Sequence, residues 1–154
     1  MTSPILSVQN LHTSFRTDDG WSEVLRDISF DISARETLAV VGESGSGKSV
    51  TALSVMGLHP RQSVRHSGRI EFLGRNLLEL PEDRMRAIRG NEIAMIFQEP
   101  MTSLNPVLPI GAQLVEAIRL HRDISRDDAR REAVQLLEKV RIPAAASRLS
   151  DYPH

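Results

Sequence analysis

Residues 42–49 read Gly-Glu-Ser-Gly-Ser-Gly-Lys-Ser, and the interpretation of the whole chain begins from this stretch. It fits G-x-x-x-x-G-K-[S/T], the P-loop or Walker A pattern that binds phosphate. Glycines let the backbone curl so that successive N–H groups face one point, and a helix starting there directs its positive end to the same point. A lysine ammonium suits the terminal phosphates, and a hydroxyl is an oxygen ligand of the kind Mg²⁺ prefers. We therefore predict a triphosphate cradle made by Gly42, Glu43, Ser44, Gly45, Ser46, Gly47, Lys48 and Ser49.

The segments on either side of this loop support that interpretation. Thr37–Val41 is a short, unbroken apolar run, the pattern of a strand buried on both faces. Helical character resumes at Lys48 and continues to Met56, with Gly57 as the predicted C-terminal cap. The alternative is a glycine-rich turn with an incidental lysine. A strand before the loop and a helix after it argue against that alternative.

The rest of the chain alternates strand and helix patterns and predicts an α/β fold. Strand patterns begin at Ile5 and cover residues 24–32, 69–73 and 93–97. Helix patterns cover residues 81–89 and 110–121 and a segment from Ser125, where Asp128 completes a capping box, to about Val140. The predicted secondary structure changes from strand-rich to helical at Gln98. We predict one domain over residues 1–98 and a helical subdomain starting within residues 99–154.

Composition excludes several classes of function. The 154-residue chain has a formal net charge of −1, so it lacks the basic field of a nucleic-acid-binding protein. It has no cysteine, which excludes disulfides, thiolate zinc sites and a cysteine nucleophile. Its five histidines have no metal-ligand spacing relative to one another. Neither a secretory signal nor an apolar run of membrane-spanning length is present, so we expect a cytoplasmic protein that reaches a membrane only through a partner.

A P-loop is shared by many classes of protein, but other segments narrow the family. The serines at 44 and 46, the stretch Val8–Leu11 followed by Phe15, and Ile96-Phe97-Gln98-Glu99-Pro100 resemble the P-loop, first strand and Q-loop of ABC ATPases. Residues 101–107, Met-Thr-Ser-Leu-Asn-Pro-Val, resemble the dipeptide and oligopeptide importer ATPases, as do Arg148-Leu149 and Tyr152-Pro153-His154. The resemblance extends from about Ile5 to His154.

The resemblance implies an ATP-binding subunit with a RecA-like P-loop core, an N-terminal antiparallel β portion and the start of a helical subdomain. Phe15 would stack on adenine, Gly45–Lys48 would hold the phosphates, and Ser49 with Gln98 would contact Mg²⁺. The partners would be membrane permease subunits, a second ABC ATPase subunit and, indirectly, an extracytoplasmic solute-binding protein. The protein would lie at the cytoplasmic face of the inner membrane. Phe15 as a core aromatic and Gln98 as a polar loop residue remain the alternatives.

Parts of the family's catalytic machinery are not found in this sequence. It holds no Leu-Ser-Gly-Gly signature, which in the family follows the Tyr-Pro-His triplet, no apolar strand ending in Asp-Glu, and no assignable switch histidine. We therefore expect a fragment that hydrolyses ATP very slowly by itself and has open sheet edges, so that it is partly folded or aggregation-prone. The alternative function is a non-hydrolysing nucleotide-binding or interaction fragment that pairs with a full-length homologue. A DNA-repair or translation ABC ATPase would lack residues 101–107, and a GTPase would need an Asn-Lys-x-Asp motif that is absent.

Overall fold

Two units of structure make up the computed structural model, which describes residues 3–98 and 103–154. The first unit runs to Arg89 and the second begins at Gly90. The domain boundary predicted at Gln98, from the change in secondary-structure pattern, stays a prediction. None of the described helices is long and apolar enough to cross a bilayer.

A four-stranded antiparallel sheet dominates the first unit, as predicted for the N-terminal part. Its strands are β1 (Leu6–Thr17), β2 (Gly20–Ile32), β3 (Val64–Phe72) and the short β4 (Arg75–Asn76). Their order in the sheet is β2-β1-β3-β4. In the register, Phe15 near the end of β1 lies opposite Ser22 of β2 and Val64 of β3. β1 is therefore a central strand, and both of its neighbours fix its position.

Three helical segments accompany the sheet: α1 (Lys48–Met56), a 3-10 turn (Leu77–Glu79) and α2 (Glu82–Ile88). The C-terminal cap predicted at Gly57 is confirmed, because Gly57 has the left-handed conformation and its N–H donates to the last turn of α1. Arg89 then ties α1 to α2. Its guanidinium donates to the carbonyl oxygens of Met56 at 2.7 Å and Gly57 at 2.6 Å, and to the Glu82 carboxylate at 2.5 Å. A cation at the end of a helix also complements its dipole.

The hydrophobic core of the first unit is drawn from the sheet and from all three helical segments. Its buried apolar side chains are Val8, Leu11, Leu25, Val55, Met56, Val64, Ile70, Phe72, Leu77, Met85 and Ile88. Burying side chains of this size contributes about 1.5–3 kcal/mol each before the entropic cost of ordering is counted. The phosphate loop is thereby attached to a packed scaffold through α1.

The two predicted buried strands, at residues 37–41 and 93–97, are wrong for this structure. Within the described part of the chain neither segment is part of a β-ladder, and only an isolated bridge occurs at Ile93. Val41 is 93% exposed and Ile96 is 95% exposed, where burial on both faces was predicted. An apolar run provides side chains for a sheet interior, but a strand also needs neighbouring strands to accept its hydrogen bonds, and the described residues offer these segments none.

The described part of the second unit, residues 90–98 and 103–154, contains three helices: α3 (Ile110–His121), α4 (Arg126–Lys139) and α5 (Ala145–Arg148). The predicted cap of α4 is confirmed, because the Ser125 hydroxyl accepts from the N–H of Asp128 at 3.1 Å. Small residues allow close packing: a Cβ on Gly111 would lie 2.7 Å from the Leu149 carbonyl oxygen. Among the residues of this unit that the structure describes, the buried positions are Gly111, Val115, Ala129, Ala133, Ala145 and Leu149.

Candidate functional site

The phosphate loop, residues 42–49, is a tight turn that leads directly into α1. Gly45 and Gly47 have φ values of +82° and +92°, a region that side chains with a Cβ rarely adopt. A Cβ on Gly47 would also lie 2.7 Å from the Leu25 side chain, and one on Gly42 would lie 2.6 Å from the Ser46 hydroxyl oxygen. The pattern of glycines is therefore required both by the backbone path and by the close packing of the loop against β2.

The N-terminal end of α1 presents backbone donors that the protein itself does not cap. Gly47 at the N-cap position supplies no side-chain hydrogen bond, and the first turn of α1 contains no acidic residue. The first N–H groups of any α-helix lack intrahelical acceptors, while the N–H of Thr51 already bonds to Gly47. The N–H groups of Lys48, Ser49 and Val50, together with the helix dipole, thus form an anion-binding arrangement.

Lys48 places its charge over this loop. Its ammonium donates to the carbonyl oxygens of Gly42 at 2.6 Å and Glu43 at 2.7 Å, and to the hydroxyl of Ser46 at 3.2 Å. These three acceptors match the three donors of an ammonium group. A bound phosphate would therefore replace these backbone carbonyls as the acceptor from the Lys48 ammonium, which already lies over the loop.

Phe15 lies half-buried near the end of β1, on the side of the first unit that also carries a histidine pair. Its ring meets His59 edge to face, with 5.0 Å between centroids and 88° between planes. The His59 ring lies 5.9 Å from the ring of His66. Thus Phe15 is neither a fully buried core residue nor an isolated surface residue.

A chain of hydrogen bonds runs beside this aromatic group to α1, and its direction can be assigned. The Ser54 hydroxyl donates to the Val50 carbonyl at 2.8 Å, so it accepts from Thr13, whose oxygen lies at 3.2 Å. Thr13 then accepts from His66 Nδ1 at 3.0 Å. Because a carbonyl only accepts, His59 Nε2, at 3.2 Å from the same Val50 oxygen, also donates. Thr13 and Ser54 are almost completely buried, so this network joins β1, β3 and α1 inside the unit.

Comparison with known proteins identifies the family. Residues 25–154 match the ABC transporter family. The chain belongs to the ABC transporter family. This ABC chain is 51% identical over 153 residues to a Brucella abortus protein that carries the name of a peptide import ATP-binding protein, and the match covers 99% of the chain and 46% of that relative. It is also 50% identical over 151 residues to the dipeptide transport ATP-binding protein DppD of Bacillus subtilis, covering 97% of the chain and 45% of DppD. The ABC chain thus spans less than half the length of these relatives.

Solved structures agree on the fold of this ABC chain. A dimeric structure of the bacterial ABC transporter cassette MJ0796 superposes with a TM-score of 0.79 at 19% identity, covering 96% of the chain and 60% of the cassette. A second structure of that cassette, bound to ADP and Pi, gives a TM-score of 0.80 at 19% identity, with 96% and 61% covered. At this level of identity the similarity establishes only the α/β fold of the ABC cassette. The function of the site rests on the residues of this chain.

Not every predicted site residue of the ABC chain can be placed beside the phosphate loop. Ser49 is exposed in the first turn of α1, and Glu43 and Ser44 are exposed in the loop. Gln98 is exposed in the second unit, so its contact with the Mg²⁺ site stays a prediction. Residues 99–102 of the Q-loop and importer resemblance lie outside the described residues.

Sequence reasoning missed the roles of His59 and His66 in the site region. Their separation along the chain fits no metal motif, and among the described residues no group of metal-ligating side chains occurs. The β1–β3 register brings His66 beside Thr13, and the connection between α1 and β3 places His59 next to Phe15. The alternation of Val64 and His66 on one face of β3 is a local signal that could have pointed to the contact of His66 with β1.

His66 makes the stability of the first unit depend on pH. Burial lowers the pKa of His66, and the charge of His59 lowers it further. The unfolded chain, with an ordinary histidine pKa of about 6.5, therefore binds more protons in this range than the folded one. We expect the free energy of unfolding to fall as pH drops through about 6.5 towards the lower folded pKa, and to stop falling below it.

Urea unfolding followed by circular dichroism between neutral and mildly acidic pH measures this dependence. His66→Asn keeps a donor towards Thr13 but cannot titrate, so it should flatten the profile. His121→Asn, a matched change in the second unit, should leave the profile of the first unit unchanged. A wild-type profile as flat as that of His66→Asn would contradict the assignment.

Proposed function

We propose that this chain binds Mg-ATP at the phosphate loop as the ATP-binding component of an ABC importer that moves peptides or related solutes. The observation that carries the proposal is the convergence of uncapped α1 amides and the Lys48 ammonium on one glycine-rich turn. Amide donors, a helix dipole and a fixed cation together suit the terminal phosphates of a nucleotide. Within the loop, we assign phosphate binding to Gly42, Glu43, Ser44, Gly45, Ser46, Gly47 and Lys48.

The residues present fit Mg²⁺ as a companion of the phosphates. Mg²⁺ is held in such sites by one or two protein oxygens, with phosphate oxygens and waters completing the shell, and it needs no all-protein cage. Ser49 is exposed beside the first amides of α1 and would supply one hydroxyl ligand. Gln98 would supply a second oxygen and would sense the terminal phosphate. The metal would neutralise the phosphate charge.

Phe15 is proposed as the surface on which the adenine base stacks. It is half-buried, so one part of the ring is held by the unit and another part is accessible to a ligand. Stacking of a base on an aromatic side chain contributes about 1–3 kcal/mol in nucleic-acid complexes, and a comparable gain applies to adenine here. The contribution is tolerant of base identity, because every base has a π-face.

The transported solute and the partners are inferred from the relatives. Relatives that are 48–51% identical to this chain over 97–99% of its length are named as peptide import or dipeptide transport proteins. We therefore propose a peripheral position at the cytoplasmic face of the inner membrane, with permease subunits as direct partners and a solute-binding protein as an indirect one. A second ATPase subunit is proposed as well, since MJ0796 is described as a dimer.

Calorimetric titration of the purified chain with ATP, with and without Mg²⁺, tests the proposed function. ATP should bind to the wild type, and Mg²⁺ should tighten that binding because it neutralises part of the phosphate charge. Ser49→Ala should lose most of the gain from Mg²⁺ while keeping metal-free binding, and Ser150→Ala should match the wild type. Absence of ATP binding by the wild type would refute the proposal. Phosphate release measured on the same samples separates turnover from binding alone.

A further inference from the structure

We propose that His59 is a positioning residue for the nucleotide base, which holds the Phe15 ring at a set distance from the phosphate loop. This inference rests on the proposed function, in which Phe15 stacks on adenine. His59 lies in the connection that follows α1, and it touches both the aromatic residue and the helix that begins at the phosphate loop.

Phe15 is in ring contact with His59. Phe15 and His59 meet nearly perpendicular, at 88°, with centroids 5.0 Å apart, the arrangement that aromatic pairs favour. The torsion that turns a phenylalanine ring about its own axis has only a broad preference, so neighbours set the plane of the ring. Because stacking needs a fixed plane, the neighbour that orients Phe15 also influences how well a base binds.

His59 is anchored on α1 by a hydrogen bond. His59 Nε2 donates to the carbonyl of Val50 at 3.2 Å, and Val50 is the third residue of the helix whose first amides face the phosphate loop. The base and the phosphates of a nucleotide are joined by a ribose, so their separation is limited by covalent geometry. A side chain that connects the two binding elements can match their spacing to that of the ligand.

The surroundings of His59 hold this anchor in place. Ser54 donates to the same Val50 carbonyl at 2.8 Å and is itself held by Thr13 on β1, the strand that carries Phe15. The backbone of His59 is restricted because Pro60 follows it, and the helix before it ends in the fixed turn at Gly57. The β1 strand and α1 are therefore joined twice, once through buried hydroxyls and once through His59 at the aromatic end.

The test compares ATP with inorganic tripolyphosphate, which has the phosphates but no base, on the full chain. His59→Ala should weaken ATP binding about three- to tenfold, the range expected for loss of an aromatic pair, and should leave tripolyphosphate binding unchanged. His59→Phe keeps a ring against Phe15 but loses the hydrogen bond to Val50, so it should recover only part of the ATP affinity. Phe15→Ala should show the same selective loss, and the double variant should be no weaker than Phe15→Ala. His121→Ala, in the second unit, serves as the control.

The outcomes separate this inference from the function on which it rests. If the wild type fails to bind ATP, the proposed function is overturned and His59 has no base to position. If ATP binding is normal in Phe15→Ala, the base platform is wrong and the role of His59 is refuted with it. If only Phe15→Ala is impaired and His59→Ala is not, the His59 inference alone is overturned. An equal loss of tripolyphosphate binding in His59→Ala would also overturn it, because His59 would then act on the loop and not on the base.

Discussion

Replacing Lys48 by alanine is expected to weaken ATP binding by at least about a hundredfold, because hydrogen bonds to charged groups contribute about 1.5–3 kcal/mol each and a lysine in a P-loop reaches two phosphates. The ammonium is already held over the loop by the carbonyls of Gly42 and Glu43. Without the ammonium, the oxygens of those two carbonyls would face the phosphates directly. The loop would then repel the phosphate oxygens that it attracts in the wild type.

The chain offers a matched control for this substitution. Its only other lysine, Lys139, is exposed at the end of α4 in the second unit. Lys139→Ala removes the same charge and should leave the dissociation constant for ATP unchanged in calorimetry. Lys48→Met, which keeps the aliphatic stem, checks that the loss follows the ammonium and not the packing. Wild-type affinity in Lys48→Ala would eliminate the phosphate loop as the binding site.

The features that sequence reasoning predicted well are those that depend on neighbours in the chain. The phosphate loop needs glycines at fixed offsets from a lysine, and the caps at Gly57 and Ser125 need one residue type at a helix end. Each of these is decided by contacts within a few residues. The structure confirms the two caps and the start of α1 at Lys48, while phosphate binding by the loop stays a prediction.

The predictions that were wrong depend on contacts between distant segments. Residues 37–41 have the composition of a buried strand, but a strand exists only when another segment accepts its hydrogen bonds. The contact of His59 with Phe15 was missed for the converse reason, since the fold supplies a partner that no local pattern indicates. Composition indicates which residues prefer burial, but the fold determines which of them come into contact.

This difference between local and distant contacts also bears on how the site is supported. Val40 and Val41, just before the phosphate loop, are 58% and 93% exposed, so that side of the loop gains little from packing. The other side leads into α1, where Gly47 packs on Leu25 and Ser54 is bonded to Thr13. The loop is thus held from the helix side, and the strength of the site depends on the contact of α1 with β1 and β2.

Gly68→Ala is expected to destabilise the first unit by about 3–5 kcal/mol, among the largest effects of a single substitution. A Cβ at this position of β3 would lie 2.2 Å from the carbonyl oxygen of Asn10 and 2.6 Å from that of Gln9. Both contacts are with backbone, which cannot rotate away as a flexible side chain would. The φ of Gly68 is +92°, which adds backbone strain for any residue that has a Cβ.

The position of Gly68 explains why the cost reaches the site. It lies where the β1–β3 register shifts between Gln9 and His12, and Asn10 there has a φ of +47°. A residue with a Cβ would push β1 away from β3 at this irregularity. Because β1 also carries Thr13 and Phe15, the same displacement should loosen the network that reaches α1. We therefore expect weaker ATP binding together with lower stability.

Gly74→Ala separates strain from steric overlap. Gly74 also has a positive φ, +78°, but an added Cβ there would meet no atom within 4 Å. It should cost only about 1–2 kcal/mol, the backbone contribution alone. Urea unfolding of both variants at neutral pH gives the comparison, and equal midpoints would show that β1 and β3 can separate at Gly68 without penalty. A clear excess for Gly68→Ala would instead mean that the first unit depends on the close approach of β3 to β1, the strand that carries Phe15 and Thr13.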